Sequence, residues 1–273
     1  MTTLDIESTV LSLTKWFQTI KTCTIATSGG IDSMLLAYIA NKTIGKEALI
    51  AHSTSVSVPI LDANRIRDYA NKYCWHVEFI DTGELNNESY RNNPVNRCYY
   101  CKSCLFEKLK KLNHGVLITG TNLDDLGDYR PGLIAAKEQN VRQPYVELNI
   151  DKAMIRKIAN YFQLHDLKDI PASPCLSSRI ETGVKIDINH LQTIDKIENI
   201  IRLELKVSLV RFRIRNDKVV LELEPHIVEQ LTNSQRDLII NKIKIIITPL
   251  AIPHDIQIST YEKGSAFIGV KNN

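Results

Sequence analysis

Up to about Leu164, short apolar runs alternate with longer stretches in which apolar residues return every three to four positions, the periods of strand and helix. The run TCTIAT (22–27) precedes a helical pattern from Ser33 onward, and ALIAHSTS (48–55) precedes PILDANRIRDYANKY (59–73). HVEFIDT (76–82) precedes a helix around CLFEKLKKL (104–112), and GVLITG (115–120) follows. Such alternation predicts an α/β fold, a doubly wound parallel sheet with helices on both faces, whose ligands meet the carboxyl ends of the strands. The Ser28-Gly29-Gly30 turn, DTGELNN and GTNLDD all fall at such ends.

Beyond Leu164 the pattern changes. A polar, proline-bearing stretch, HDLKDIPASPCLSSRIETGVKI, leads to a helix INHLQTIDKIENIIRLEL, strands LVRFRIR and KVVLELE, a helix HIVEQLTNSQRDLIINKI and a last strand DIQISTYE. We expect two domains: 1–172, built on the parallel sheet, and 173–273, a smaller α+β domain for substrate binding or oligomerisation.

Composition narrows the class. The chain has 273 residues, 44% hydrophobic, enough for one large domain or two smaller ones. A net charge of +3 without a basic tract gives no ground for non-specific nucleic-acid binding. No apolar run reaches the roughly 18 residues a membrane helix needs, and the opening residues fit neither a signal nor a transit peptide. The expectation is a cytoplasmic protein whose six cysteines are thiols or metal ligands rather than disulfides.

Ser28, Gly29, Gly30 and Ser33, at the positive end of a helix, offer backbone N–H groups and two hydroxyls, enough to wrap a pyrophosphate without a lysine. Asp32 is placed to hold a Mg²⁺ bridging those phosphates; the plain alternative is a solvated turn. Arg211 and Arg213 alternate on one side of a strand with Phe212 on the other, which suits a phosphate clamp or, more plainly, an exposed strand face. Cys98 and Cys101, at i and i+3, suit one metal centre. Cys104 extends them to CxxCxxC, so a four-thiolate zinc site with Cys175 and unliganded thiols both stay open. Arg97, Lys102 and Arg179 flank these cysteines and are suited to lowering a thiol pKa or meeting a substrate carboxylate. Cys23, Cys74, Trp16 and Phe17 read as packing, and the histidines show no ligand spacing.

The string SGGIDS resembles the SGGxDS signature of the PP-loop ATP pyrophosphatases, which have an adenine nucleotide alpha hydrolase-like fold, cleave ATP between its α- and β-phosphates and adenylate an acceptor. NRCYYCK (96–102), GTNLDDLGDYRPG (120–132), PASPCLSSRI (171–180) and RFRIRNDKVVLELE (211–224) together resemble a LarE-type sulfur transferase. That resemblance implies adenylation of a carboxylate of a pyridinium mononucleotide, followed by replacement of oxygen with sulfur, in biosynthesis of the nickel-pincer nucleotide cofactor. It implies an ATP loop at Ser28, Gly29, Gly30, Asp32 and Ser33, and acidic positions at Asp125 and Asp128 near the adenylation centre. Arg211 and Arg213 match the pair that binds the substrate's phosphate, with Glu222 nearby. Asn216-Asp217 departs from the family's usual histidine-glycine turn and leaves the role of Arg215 open.

Some members of that family give up the sulfur of one cysteine, at the position of Cys175, and lack the other two. The presence of Cys98, Cys101 and Cys175 resembles the branch with a 4Fe-4S cluster, in which three thiolates leave one iron open for exogenous sulfide. Cys104 is not part of that pattern. The expected partners are therefore the pyridinium mononucleotide, a sulfide donor and a second copy of the chain, with ATP, Mg²⁺ and the cluster as cofactors. Two rival classes are a cluster-dependent tRNA-thiolating enzyme, for which RNA-binding modules are missing, and a non-catalytic metal or nucleotide-binding module.

Overall fold

A strand whose side chains alternate between two covered faces has no polar side, and three of the four strands of the first sheet are built that way, the edge strand His76–Ile80 being largely exposed. In the computed structural model, which describes residues 3–127 and 130–262, the chain begins α1 (Thr3–Ile20), β1 (Cys23–Ala26), α2 (Ile31–Ile44), β2 (Ala48–Ser53), α3 (Ile60–Tyr73) and β3 (His76–Ile80). Next come α4 (Glu88–Arg91), α5 (Arg97–Lys111), β4 (Val116–Thr119), α6 (Pro131–Glu138), α7 (Pro144–Glu147), α8 (Lys152–Tyr161) and α9 (His165–Lys168). Cys23, Ile25, Ile50 and Ile118 share one core with Phe17 of α1, Leu35 of α2 and Ile155 of α8. Ala26, Ala51 and Leu117, one position out of phase, share another with Phe106 and Leu109 of α5 and Ala135 of α6. Every residue of β1 is buried as a result.

The strands are parallel in the order β3-β2-β1-β4. The chain steps outward from β1 to β3 and then returns to the far side of β1, so strand order reverses between β1 and β4. Sheets of this kind hold their ligands beyond the carboxyl ends of the strands at that reversal. The glycine turn leaves β1 there, and the Gly120 segment leaves β4.

The remaining elements are α10 (Ile188–Leu205), β5 (Val210–Ile214), β6 (Val219–Leu223), α11 (Pro225–Gln230), α12 (Asn233–Ile247) and β7 (Ile256–Thr260). They form a mixed sheet, with β5 antiparallel and β7 parallel to β6, and α10 packs along β5. The single helix expected over 226–243 is two, because Thr232 caps α12 in a capping box with Gln235 and ends the preceding turn.

The chain divides into two compact units, Met1–Glu84 with Cys98–Ser173, and Leu85–Arg97 with Pro174–Asn273. The early segment is tied into the second unit by Asn93, whose side-chain amide donates to the carbonyls of Glu181 (2.8 Å) and Val184 (3.0 Å), and by Tyr90, whose hydroxyl meets that of Ser177 at 2.5 Å. Among the described residues no helix is long and apolar enough to cross a membrane.

Candidate active site

The turn after β1 is closed by its own hydroxyls. Ser33 Oγ accepts from the Ser28 N–H at 3.1 Å, lies 3.2 Å from Ser28 Oγ and donates to the Gly30 carbonyl at 3.1 Å. Gly29 has φ +90°, and a Cβ there would stand 2.6 Å from Cβ of Asp62, so the turn lies directly against the start of α3. Gly30 is the N-cap of α2, and no side chain caps that helix. Orphan N–H groups at such a start form a ready anion site. Gly120 lets β4 end against the same helix, since a Cβ there would lie 2.9 Å from Ser33 N and 3.0 Å from the carbonyl carbon of Asp32.

A lysine of α8 stands beside the turn. Lys152 Nζ pairs with Asp32 Oδ2 at 2.5 Å, and the Lys152 N–H donates to Asp124 Oδ2 at 3.0 Å. Asn122 connects the two candidate acids: its amide reaches Asp32 Oδ1 at 3.4 Å, and its backbone N–H donates to Asp125 Oδ2 at 3.1 Å. Asp125 is also paired with Arg130 at 2.7 Å. The buried Tyr145 hydroxyl donates to the Asp32 carbonyl at 3.1 Å, and burial, reinforced by the Asp32 charge, holds that phenol well above its ordinary pKa. Asp128 lies outside the described residues.

Asn122 sits inside a segment the sequence singles out, but Lys152 carries no local signal. Only the crossover topology brings it beside Asp32, 120 residues earlier.

In the second unit, the plain expectation of an exposed strand face for Arg211 and Arg213 is overturned. Both are buried at 5% exposure, because the face opposite Phe212 is covered as well. Arg213 Nε stands 2.7 Å from Glu222 Oε2, an ion pair without hydrogen-bond alignment, and its Nη1 donates to the Ser178 carbonyl at 3.0 Å. Arg215 approaches Glu222 from the other side at 3.7 Å. Burial, and then the charge of Arg179, bring the Arg211 guanidinium down to about 10. Among the described residues Glu198 pairs with Arg179 and Arg202, and Glu222 with Arg213 and Arg215, so each buried carboxylate is shared between two guanidinium groups.

Arg179 is not available to a substrate carboxylate. Its guanidinium grips Glu198 through Nε and Nη2 at 2.9 and 3.0 Å, and Nη1 donates to the carbonyls of Pro174 (2.6 Å) and Cys175 (3.1 Å). It therefore fixes the backbone that carries Cys175, which opens the helical turn 176–179 with a half-buried thiol. Arg97 is likewise buried and donates to Asn93 Oδ1 at 3.0 Å, while Lys102 lies over the Phe106 ring.

Cys98 and Cys101 stand one turn apart on α5, half-buried, and Cys104 continues the same helix. Among the described residues no three His, Cys, Asp or Glu side chains gather closely enough to hold a metal ion. Burial pushes the Cys23 thiol up to about 12, as a core residue requires. Cys74 is not packing: it ends α3 in the left-handed conformation and is exposed.

A parallel sheet with an uncapped glycine turn at its order reversal, joined to a small mixed α/β unit, is consistent with a PP-loop-type fold. No family model matches the chain. It is 38% identical over 232 residues to the Synechocystis protein slr1717, covering 82% of this chain and 85% of that one. To the Methanocaldococcus jannaschii protein MJ0830 it is 31% identical, covering 79% and 82%; neither name carries a function. The chain belongs to the family of these two proteins. It is also 28% identical, over 73% of its length and 74% of the other's, to a Lactiplantibacillus plantarum protein named pyridinium-3,5-bisthiocarboxylic acid mononucleotide synthase, which supports a place among the LarE-type proteins.

Proposed function

We propose that the chain is an ATP-dependent sulfur transferase acting on a carboxylate of a pyridinium mononucleotide, on the route to the nickel-pincer nucleotide cofactor. The observation that carries this reading is the uncapped glycine turn at the sheet reversal, with Asp32 and Lys152 beside it, in a chain similar to a bisthiocarboxylic acid mononucleotide synthase. Ser28, Gly29, Gly30 and Ser33 hold the triphosphate, and Lys152 balances its charge. A substrate carboxylate oxygen attacks the α-phosphorus, the bond to the β-phosphate oxygen breaks, and pyrophosphate leaves. Sulfide then adds to the acyl carbon and AMP departs, leaving a thiocarboxylate. Asp125 lies near the adenylation centre in this reading, as does Asp128 by resemblance.

The Asp32 carboxylate can accept a cation as well as Lys152, because an ionised carboxylate has about four acceptor positions. It is therefore the proposed holder of Mg²⁺, which supplies charge neutralisation to the phosphates when bound. The second unit binds substrate, with Arg211 and Arg213 on its phosphate and Glu222 setting their position, and we propose a homo-oligomer working in the cytoplasm. The proposed cluster ligands are Cys98, Cys101 and Cys175. Cys98 and Cys101, one turn apart on α5, suit two positions on one centre, with Cys175 as the third by resemblance, and the 4Fe-4S group when bound would supply an iron without a protein ligand, open to sulfide.

The test is product identity and metal content. With Mg²⁺, ATP and the acceptor, purified protein is expected to form AMP and pyrophosphate, whereas ADP and orthophosphate would overturn adenylation. Anaerobic reconstitution is expected to give about four irons per chain, lost on replacing Cys98, Cys101 or Cys175 by alanine and kept in Cys104→Ala. A single turnover that leaves dehydroalanine at Cys175, independent of Cys98 and Cys101, would replace the cluster with a sacrificial cysteine. A tRNA gel shift with thiolation of the RNA would move the activity to that substrate.

A further inference from the structure

Asp62 is buried, at 2% exposure, and its two carboxylate oxygens serve different parts of the first unit. Oδ1 accepts from Arg65 Nη1 at 2.6 Å, and the same nitrogen donates to the carbonyl of Gly29 at 2.6 Å. Oδ2 accepts from the hydroxyl of Ser173 at 2.6 Å, 111 residues along the chain and two positions before Cys175. Gly29 presses on Asp62 itself, where a Cβ would come within 3.0 Å of the Cβ, carbonyl oxygen and Cα of that residue. A continuous line of short contacts therefore runs from the glycine turn through Arg65 and Asp62 to Ser173.

We infer that Asp62, Arg65 and Ser173 are positioning residues that tie the nucleotide turn to the segment carrying Cys175, so that filling the turn with a triphosphate steadies that segment. This rests on reading the turn as the nucleotide site. The peptide between Gly29 and Gly30 presents its carbonyl to Arg65, while its N–H makes only a long bond, 3.4 Å, to Ser28 Oγ. A phosphate oxygen taking that N–H polarises the peptide and strengthens the opposite bond to Arg65, as hydrogen bonds in a chain reinforce one another. The guanidinium shares one nitrogen between Gly29 and Asp62, so the change passes to the carboxylate and to the serine it holds. Beyond Ser173, Arg179 fixes the carbonyls of Pro174 and Cys175. The Cys175 segment is thus pinned on either side, and the Ser173 pin connects to the nucleotide turn through Asp62 and Arg65. Coupling of this kind is established by an equilibrium both sites bias, not by proximity.

Hydrogen–deuterium exchange of the full chain tests it, read in peptides spanning 171–178 with and without saturating Mg-ATP, with nucleotide binding measured separately by calorimetry. In the wild type, ATP is expected to slow exchange in these peptides about fivefold or more, within the usual range of coupling between sites. Ser173→Ala and Asp62→Asn are expected to bind ATP at saturation yet show no such slowing, and Ser173→Thr, which keeps the hydroxyl, to restore it. Slowing that persists in Ser173→Ala means direct shielding and overturns the proposal, as does ATP binding that leaves the wild-type segment unchanged. Both results leave the sulfur-transferase reading standing. A wild type that binds no ATP ends that reading and this one together.

Discussion

Two adjacent glycines in the nucleotide turn answer to different constraints, and exchanging each for alanine separates fold from binding. At Gly29, alanine meets a φ of +90° and a Cβ 2.6 Å from Asp62 Cβ and 2.9 Å from its carbonyl oxygen. A residue forced into that backbone region costs about 1–3 kcal/mol, and overpacking against an immobile backbone about 1–3 kcal/mol more. Gly29→Ala is therefore expected to lose about 2–6 kcal/mol, a large part of the 5–15 kcal/mol of a typical domain. Gly30 has φ −76° and ψ 159°, and the nearest atom to an added Cβ is Ser28 Oγ at 3.6 Å. There the reduced freedom of the unfolded chain offsets the poorer N-cap, and stability should change by less than about 0.5 kcal/mol. The new methyl group nevertheless stands beside the hydroxyls that receive the phosphates, so Gly30→Ala is expected to bind ATP at least about tenfold more weakly, the loss of one charge-assisted bond. Both tryptophans, Trp16 and Trp75, lie in the first unit, so their fluorescence during urea unfolding reports that unit alone. Equal destabilisation by the two substitutions would refute the geometric argument. Normal ATP affinity in Gly30→Ala would refute the assignment of the turn.

Lys152→Ala should cost no more than about 1 kcal/mol of stability, since its pair with Asp32 is partly solvated, yet weaken ATP binding about tenfold or more by calorimetry; an unchanged affinity would leave Lys152 a mere partner of Asp32. Glu198→Gln should destabilise the second unit by about 3–5 kcal/mol in hydrogen exchange across 188–223, because it strands the Arg179 charge among buried groups; wild-type protection there would show that the pair is dispensable. His52 is buried with Nδ1 donating to the Thr27 carbonyl, and burial lowers its pKa. The unfolded chain then takes up a proton near pH 6.5 that the folded chain refuses, so stability of the first unit is full above that pH and falls as pH drops. His52→Gln should flatten that acid decline in tryptophan fluorescence, and an identical slope would assign it to other groups.

The sheet was readable because its strands are short apolar runs separated by helical periods, and a strand like Cys23–Ala26, buried on both faces, leaves no ambiguity of face. The glycine turn was readable for the same local reason. What the sequence hides is long-range. Lys152 and Asn122 reach Asp32, and Ser173 reaches Asp62, through the crossover order of the strands, which no local spacing encodes. The alternation of Arg211 and Arg213 correctly predicted a shared face but not its burial, because a two-residue period says nothing about what covers that face. Arg179 looked like a group free to meet substrate, and its engagement with Glu198 depends on α10 passing behind the Cys175 turn.

The most direct test of sulfur transfer weighs the substrate and the protein after the same reaction. Reconstituted protein is given Mg-ATP, the pyridinium mononucleotide and sulfide without oxygen, and both are examined by mass spectrometry. The account predicts a substrate heavier by the difference between sulfur and oxygen, formed over more than one turnover, with one AMP and one pyrophosphate per sulfur and a polypeptide of unchanged mass. ATP consumption without any change in the mass of the substrate would contradict it.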